Sequence, residues 1–137
     1  GNADPRALSV AVDAHRAFEL MGLPEGVLPL TQAVAYLALA PKSGAAIAAY
    51  GHARKLVRDR GPLPVPKKLL NATSGLARQR GHGQGYKYPH DLGGLVPGET
   101  YLPEALLGEH VYRPTRNGEE AELASRLDDI RARRDPP

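Results

Sequence analysis

Residues 78–91 carry the side chains of this chain that could do chemistry. This segment holds three glycines, three Lys or Arg, two tyrosines and two histidines. Glycines at alternate positions let backbone amides approach a ligand closely. The cations would attract an anion, and the tyrosines could stack on bases. The segment could therefore be a nucleic-acid-binding loop, a phosphate cradle or a well-packed structural loop.

The glycine spacing excludes a phosphate cradle of the P-loop type. A P-loop needs Gly-x-x-x-x-Gly-Lys-Ser/Thr, in which the amides surround the phosphates and the hydroxyl holds Mg²⁺. Gly81, Gly83 and Gly85 alternate instead, and Lys87 is followed by Tyr88, which cannot replace the Ser or Thr. A dinucleotide fingerprint would follow a strand, whereas the residues before this loop read as helix. We expect no cofactor-binding site in this chain.

Signatures of catalysis and metal binding are missing from the sequence. The chain has no cysteine, which excludes a cysteine nucleophile and a zinc–thiolate site. It has no Gly-x-Ser-x-Gly elbow, and its histidines form no His-x-x-x-His pair. His82 and His90 flank the glycines beside Asp91, but a metal would need a third ligand and a supporting shell. We expect no catalytic residue, no metal ligand and no enzyme activity in this chain.

Positive charge is concentrated in the middle of the chain. Between residues 52 and 90 there are nine Lys or Arg and one acid, a local charge of +8, whereas the remainder carries −5. This asymmetry indicates an anionic partner such as DNA, or an acidic surface on a neighbouring subunit. A solvated basic face is the alternative. The residues predicted to contact DNA are Arg54, Lys55, Arg58, Lys67, Lys68, Arg78, Arg80, Tyr86, Lys87 and Tyr88.

Length and composition indicate a single domain of an intracellular protein. With 137 residues, 42% of them hydrophobic, the chain can form one domain with its own core. The absence of cysteine fits a reducing compartment, and we expect a cytoplasmic protein. No apolar run reaches the roughly 18 residues that span a membrane, and the first residues are no signal peptide. The chain does not begin with Met, so we expect a piece of a longer protein.

The elements that must position these residues are predicted to be helices. Asp4 followed by Pro5 starts the first, whose apolar stripe includes His15 as a core residue and ends at Gly22. A second helix opens at Pro29 and is apolar nearly all round, which is typical of a central helix.

Two serines are predicted to cap the next helices. Ser43 would cap an alanine-rich helix that ends at Gly61, and Ser74 a short helix that ends at Arg80. Residues 81–100 show no apolar periodicity and are predicted to be an irregular loop.

The last predicted helix completes an all-α fold. Thr115 or Asn117 would cap it, and Leu123, Leu127 and Ile130 would form its buried stripe. No segment alternates with period two for long enough to indicate a sheet. The predicted fold class is all-α: one compact multi-helix domain over residues 1–137 with a long irregular Gly/Tyr-rich loop.

Eight short segments resemble one protein family, in the same order along the chain. They are residues 4–8, 22–26, 32–37, 40–43, 63–66, 85–91, 101–103 and 112–115. Together they resemble the C-terminal region of the RarA/MgsA (replication-associated recombination protein A) family of bacterial AAA+ ATPases, which are related to clamp loaders. His82 and Gln84 depart from the family pattern, which weakens the prediction that the loop itself binds phosphate.

The resemblance implies a function for the longer protein and a part for this chain in it. In the family the ATPase module precedes this region, so ATP and Mg would bind the full-length protein and not this chain. The region itself would be a clamp-loader-collar-like helical domain that holds a homotetramer together. The complete protein would be a DNA-stimulated ATPase at stalled replication forks, with DNA and single-strand-binding protein as partners and no membrane association.

The predicted helices offer physical support for oligomerisation. The all-apolar second helix and the alanine-rich third helix present more apolar surface than one small domain readily covers. A stable subunit contact buries about 1,200–2,000 Å² in total. We therefore predict an oligomerisation domain, with direct DNA binding by the basic segment as the alternative.

Overall fold

The computed structural model describes residues 1–134, and within that range it contains five α-helices and no strand. The all-α prediction is confirmed. The helices are α1 (Arg6–Met21), α2 (Val27–Leu39), α3 (Ala45–Arg60), α4 (Gly75–Gln79) and α5 (Glu120–Arg134). Short 3₁₀ turns cover Lys67–Leu69, Pro89–Leu92 and Glu104–Leu106.

The chain divides into two units by its internal contacts. Unit 1 combines residues 1–51 with residues 112–125, and unit 2 combines residues 52–111 with residues 126–134. Helices α1 and α2 lie wholly in unit 1, and α4 and the glycine-rich loop lie wholly in unit 2.

Asp4 lies at the start of α1, as the sequence predicts, and also accepts a hydrogen bond from α2. Its Oδ1 accepts the backbone N–H of Arg6 at 3.0 Å, which satisfies a free donor of the first helical turn. Its Oδ2 accepts the hydroxyl of Tyr36, on α2, at 2.7 Å. This hydrogen bond from Tyr36 is the main reason that the pKa of Asp4 is lowered. One carboxylate thus joins the start of α1 to α2.

Helices α1 and α2 form a hairpin with a close turn. Gly26, just before α2, is buried, and a Cβ there would lie 2.5 Å from the carbonyl oxygen of Gly22 and 2.9 Å from Cδ2 of Phe18. Only glycine fits this approach without displacing the backbone. The observed start of α2 lies two residues before the predicted start at Pro29.

Alanine supplies the buried apolar core of unit 1. Among its described residues, the buried apolar side chains are those of Ala3, Ala14, Ala33, Ala45 and Ala124. A methyl group contributes far less than the about 1.5–3 kcal/mol gained by fully burying a Val or Leu side chain. The larger apolar side chains of this unit are half-buried or exposed, so the unit leaves much of its apolar surface uncovered.

Polar contacts join several segments of unit 2. An ion pair joins Lys68 to Glu99, and His52 Nε2 lies 3.3 Å from Glu109 Oε2. Ser74 caps α4 as predicted, accepting the N–H of Ala77 at 3.1 Å. The contacts of Lys68 with Glu99 and of His52 with Glu109 link distant parts of the sequence within the unit.

Three residues predicted to be in the core, His15, Leu123 and Ile130, are exposed. The side chain of His15 is 70% exposed and lies 3.4 Å from Glu19 one turn later, so it pairs with a carboxylate at the surface. In α5, Leu123 and Ile130 are exposed and Leu127 is half-buried, while Glu120 and Ala124 face inward. The apolar periodicity predicted the helices correctly, but it did not predict which face of each helix is buried within this chain.

Candidate interaction surfaces

Helix α3 presents the first group of cations predicted to contact DNA. Lys55 and Arg58 are exposed and both approach Asp59, at 2.5 Å for Lys55 Nζ and 3.4 Å for Arg58 Nε. The hydrogen bond from Lys55 is the main reason that the pKa of Asp59 is lowered. Arg54 is also exposed on this helix. The single acid of the basic segment is therefore shared by two of its cations.

Lys67 and Lys68, from the 3₁₀ turn, have different surroundings. Lys67 is exposed, and its backbone carbonyl accepts the N–H of Gly83 at 2.9 Å, which seats the turn beside the glycine-rich loop. Lys68 is half-buried, pairs with Glu99 and lies 5.7 Å from the ring centroid of Tyr101. The hydrogen bond from Lys68 is the main reason that the pKa of Glu99 is lowered. Lys68 is thus a half-buried DNA-contact candidate whose charge is already paired with Glu99.

The glycine-rich loop carries the remaining predicted contacts. Gly81, Gly83 and Gly85 have φ angles of +81°, +73° and +78°, a backbone region that favours glycine. The backbone conformation of the loop therefore explains why glycine occurs at alternate positions, and no bound ligand is needed to explain it. These glycines have a structural role in the loop.

The side chains of this loop point largely into solvent. Tyr86 is 45% exposed and Tyr88 55%, and Arg78, Arg80 and Lys87 are exposed. About half of the surface of each tyrosine is therefore in contact with solvent. The ring of Tyr88 lies 5.1 Å from that of His90, and Tyr86 lines a cleft of about 420 Å³ together with Lys68. The loop thus offers exposed rings and exposed cations in one short stretch.

Helix α2 exposes the apolar side chains that its sequence suggested would be central. Ala33 is its buried residue, whereas Leu28, Val34 and Leu39 are 70%, 68% and 88% exposed. The helix contains no charged residue. A helix that is apolar all round is typical of a core or of a contact with another polypeptide, and the outer face of α2 does not lie in a core of this chain.

A buried carboxylate lies at the start of α5, and sequence reasoning missed it. Glu120 is fully buried. Its Oε1 accepts the hydroxyl of Tyr112 at 2.5 Å, and its Oε2 accepts the hydroxyl of Thr115 at 2.5 Å. Tyr112 in turn accepts the side-chain amide of Asn2 at 2.8 Å. This network joins the first residues of unit 1 to its last helix.

The hydrogen bonds decide the ionisation of Glu120. Burial raises the pKa of its carboxyl group, but hydrogen bonds from Ser43, Thr115 and Tyr112 outweigh that effect and lower the pKa to about 2. Burial and the bond to Glu120 raise the pKa of Tyr112. The carboxylate is therefore charged and held by neutral hydroxyl donors. Its role in the unit is structural.

Gly118 brings the segment before α5 against the start of the chain. Its φ is +52°, and a Cβ there would overlap the carbonyl oxygen of Ala3 and lie 2.6 Å from Cγ of Pro41. The same carbonyl oxygen accepts the backbone N–H of Glu119 at 2.9 Å. The contact therefore depends on the absence of a side chain at position 118.

Residues 1–134 include no group of three or more His, Cys, Asp or Glu side chains that could hold a metal ion. In the same range no helix has both the length and the apolar character that a membrane span needs.

Comparison with known sequences identifies the relatives of the chain. A family model described as the C-terminal region of the MgsA AAA+ ATPase matches residues 1–131. Replication-associated recombination protein A of Coxiella burnetii is 43% identical over 129 residues, which cover 93% of this chain and 29% of that protein. The protein of the same name from Escherichia coli K12 is 40% identical over 128 residues, with 93% and 29% covered.

A third relative carries a less specific name. An AAA domain-containing protein of Mycobacterium tuberculosis is 41% identical over 132 residues, which cover 96% of this chain and 29% of that protein. The chain thus spans about three-tenths of the length of these three relatives.

Proposed function

This chain belongs to the family of MgsA AAA+ ATPase C-terminal domains, and we propose that it is the oligomerisation domain of a longer ATPase that acts in replication-associated recombination. Relatives that carry the name replication-associated recombination protein A support the process. In this proposal the ATPase module, with its ATP and Mg, lies in the part of the protein outside this chain. The proposed assembly is a homotetramer.

The surface of unit 1 is the observation that carries this proposal. Its buried apolar residues are alanines, and its large apolar side chains are half-buried or exposed. Soluble monomers rarely leave large contiguous apolar patches in water. Coverage of this surface by other copies of the chain would supply the missing apolar burial, and a specific stable interface buries about 1,200–2,000 Å² in total.

Removal of this chain from the full-length protein tests the proposal. We expect the full-length protein to sediment as a tetramer, and the same protein without residues 1–134 to sediment as smaller species. The reason is that the deletion removes the apolar surface that holds the subunits together. A truncated protein that stays tetrameric would assign oligomerisation to the ATPase module instead.

DNA binding by the basic segment is the second candidate function. Tyr86 and Tyr88 present about half of their surface to solvent, and Arg78, Arg80 and Lys87 are exposed in the same segment. Aromatic rings and cations in one stretch suit single-stranded DNA, whose bases stack and whose phosphates attract charge. DNA and single-strand-binding protein are the proposed partners of the full-length protein. The two functions are compatible, because a tetramer would strengthen a weak contact through avidity.

Salt dependence of DNA binding tests this second function. If the segment neutralises about five phosphates, the logarithm of the association constant for single-stranded DNA should fall with the logarithm of salt concentration, with a slope of about −3.5. Replacement of Arg78, Arg80 and Lys87 with alanine should weaken binding and reduce the slope by about 2.

A second triple variant gives the matched control for DNA binding. Arg16, Arg113 and Arg133 are exposed and lie outside the basic segment. Their replacement with alanine removes the same net charge and should leave the slope nearly unchanged. Equal losses in the two triple variants would indicate that overall charge, not this segment, attracts DNA.

A further inference from the structure

The exposed residues of α2 form one continuous uncharged stripe. Residues 27, 28, 31, 32, 34, 35, 38 and 39 are all exposed and recur at steps of three and four, so they share one face of the helix. Apart from Thr31 and Gln32, which are polar but uncharged, each of these side chains is apolar, and α2 has no Asp, Glu, Lys or Arg. This is the pattern of a helix that packs against another helix along its length.

The stripe is complementary to itself in an antiparallel arrangement. A two-fold axis at the level of residue 33, the midpoint of α2, would place Val27 opposite Leu39 of a second copy. Leu28 would lie opposite Ala38, and Thr31 opposite Ala35. Leu28 thus meets the small residue Ala38, which lets the two helices approach closely and interdigitate there.

We propose that this stripe of α2 is a two-fold contact between two copies of the chain, with the helices antiparallel and Leu28 of one copy against Ala38 of the other. The inference rests on the proposed oligomerisation function and assigns to it a surface and a register. In an isologous contact the same patch serves both copies, so each pair of facing residues occurs twice. One contact of this kind makes a dimer, and a tetramer needs a second, different contact.

Charge favours a second copy as the occupant. The stripe offers no cation for a nucleic acid and no charged partner for an acidic or basic peptide. The partner surface must itself be apolar and uncharged to avoid burying an unpaired charge. A second α2 stripe is likewise uncharged, and its exposed apolar side chains would be buried by the same contact.

A charge placed in the stripe provides the first test. The Val34→Glu variant of the full-length protein would bury two carboxylates at the contact, and we expect the subunit dissociation constant to rise about tenfold or more. Val65→Glu is the matched control, because Val65 is 53% exposed and lies in unit 2, outside helices α2 and α3. It should leave assembly unchanged. Far-ultraviolet circular dichroism of both variants checks that the helices remain.

Cross-linking tests the register and does not depend on the stability of the Val34→Glu variant. Leu28→Cys and Ala38→Cys proteins are mixed, treated with a short bis-maleimide and mapped by mass spectrometry. The antiparallel contact predicts a 28–38 link between copies. Two copies of residue 28 would lie about 15 Å apart along the helices, because ten residues separate 28 from 38. Links of 28 to 28 and of 38 to 38 should therefore be rare.

Each outcome separates this inference from the function on which it rests. Loss of assembly in Val34→Glu alone, together with the 28–38 link, supports both. A wild-type tetramer that the two glutamate variants affect equally, or that yields 28–28 and 38–38 links, overturns the α2 contact and leaves the oligomerisation function standing. A monomeric wild-type protein overturns the proposed function and the contact with it.

Discussion

Replacement of Gly118 with alanine is expected to destabilise the chain by about 3 kcal/mol or more. A left-handed φ costs a non-glycine residue about 1–2 kcal/mol. The added Cβ would also overlap the backbone carbonyl of Ala3, which cannot move without losing its hydrogen bond to Glu119. Urea unfolding followed by circular dichroism measures the change.

Gly51→Ala gives a control of opposite sign. Gly51 lies inside helix α3, has a negative φ and has no atom near its ideal Cβ position. Alanine there should stabilise the chain by about 0.5–1 kcal/mol, because glycine weakens a helix interior. If Gly118→Ala unfolds at the wild-type urea concentration, the close contact between residues 3 and 118 is wrong.

Glu120→Gln is expected to have the second large effect, about 3 kcal/mol of destabilisation. The amide would replace a charged acceptor by a neutral one and would turn an N–H donor toward a hydroxyl that now donates. Hydrogen bonds to charged groups are worth more than neutral ones, and a buried polar group left unpaired costs its desolvation. Glu122→Gln, in the same helical turn but exposed, should change stability by less than about 0.5 kcal/mol.

The stability of the wild-type chain should also depend on pH through Glu120. Its pKa is about 2 in the folded chain, against an ordinary value of 4.5. A lowered pKa stabilises the fold wherever the carboxylate is ionised in both states, so this contribution is complete above pH 4.5 and is lost as the pH falls from there toward 2.

Urea unfolding between pH 6 and 2.5 measures this dependence. Since Glu120→Gln cannot titrate at this position, its stability should fall less steeply over the acid range. Parallel pH profiles for the two proteins would mean that Glu120 is not the source of the acid sensitivity.

Local capping was predictable because each bond joins residues close in sequence. Asp4 caps the N–H of Arg6, Ser43 accepts the N–H of Ala45, and Ser74 accepts that of Ala77. Each serine or aspartate can reach a free amide only two or three residues away, so its position marks the helix start. The helices and the all-α class followed from these starts and from apolar periodicity.

The buried network could not be predicted in this way. Glutamates in the first turn of α5 suit the positive end of the helix whether they face solvent or the interior of the unit. Glu120 is buried because Tyr112, Thr115 and Ser43 together supply hydroxyl donors, and Asn2 orients the tyrosine from 110 residues away. Nothing in the local sequence separates Glu120 from the exposed Glu122.

The candidate surfaces were partly predictable. The excess of positive charge between residues 52 and 90 could be predicted from the sequence. The partner of Lys68 could not, because Glu99 lies 31 residues further along the chain. Likewise, the apolar character of α2 was evident, whereas its exposure depends on how little of it α1 covers. Composition identified which residues are unusual, and tertiary contacts decide which of them remain accessible.

The mass of the 137-residue chain in solution tests the oligomerisation function most directly. Multi-angle light scattering at micromolar concentration, coupled to size exclusion, measures it without reference to molecular shape. We predict a species of four times the 14.7 kDa chain mass, with dissociation on dilution. A single species at 14.7 kDa over the whole concentration range would contradict this function.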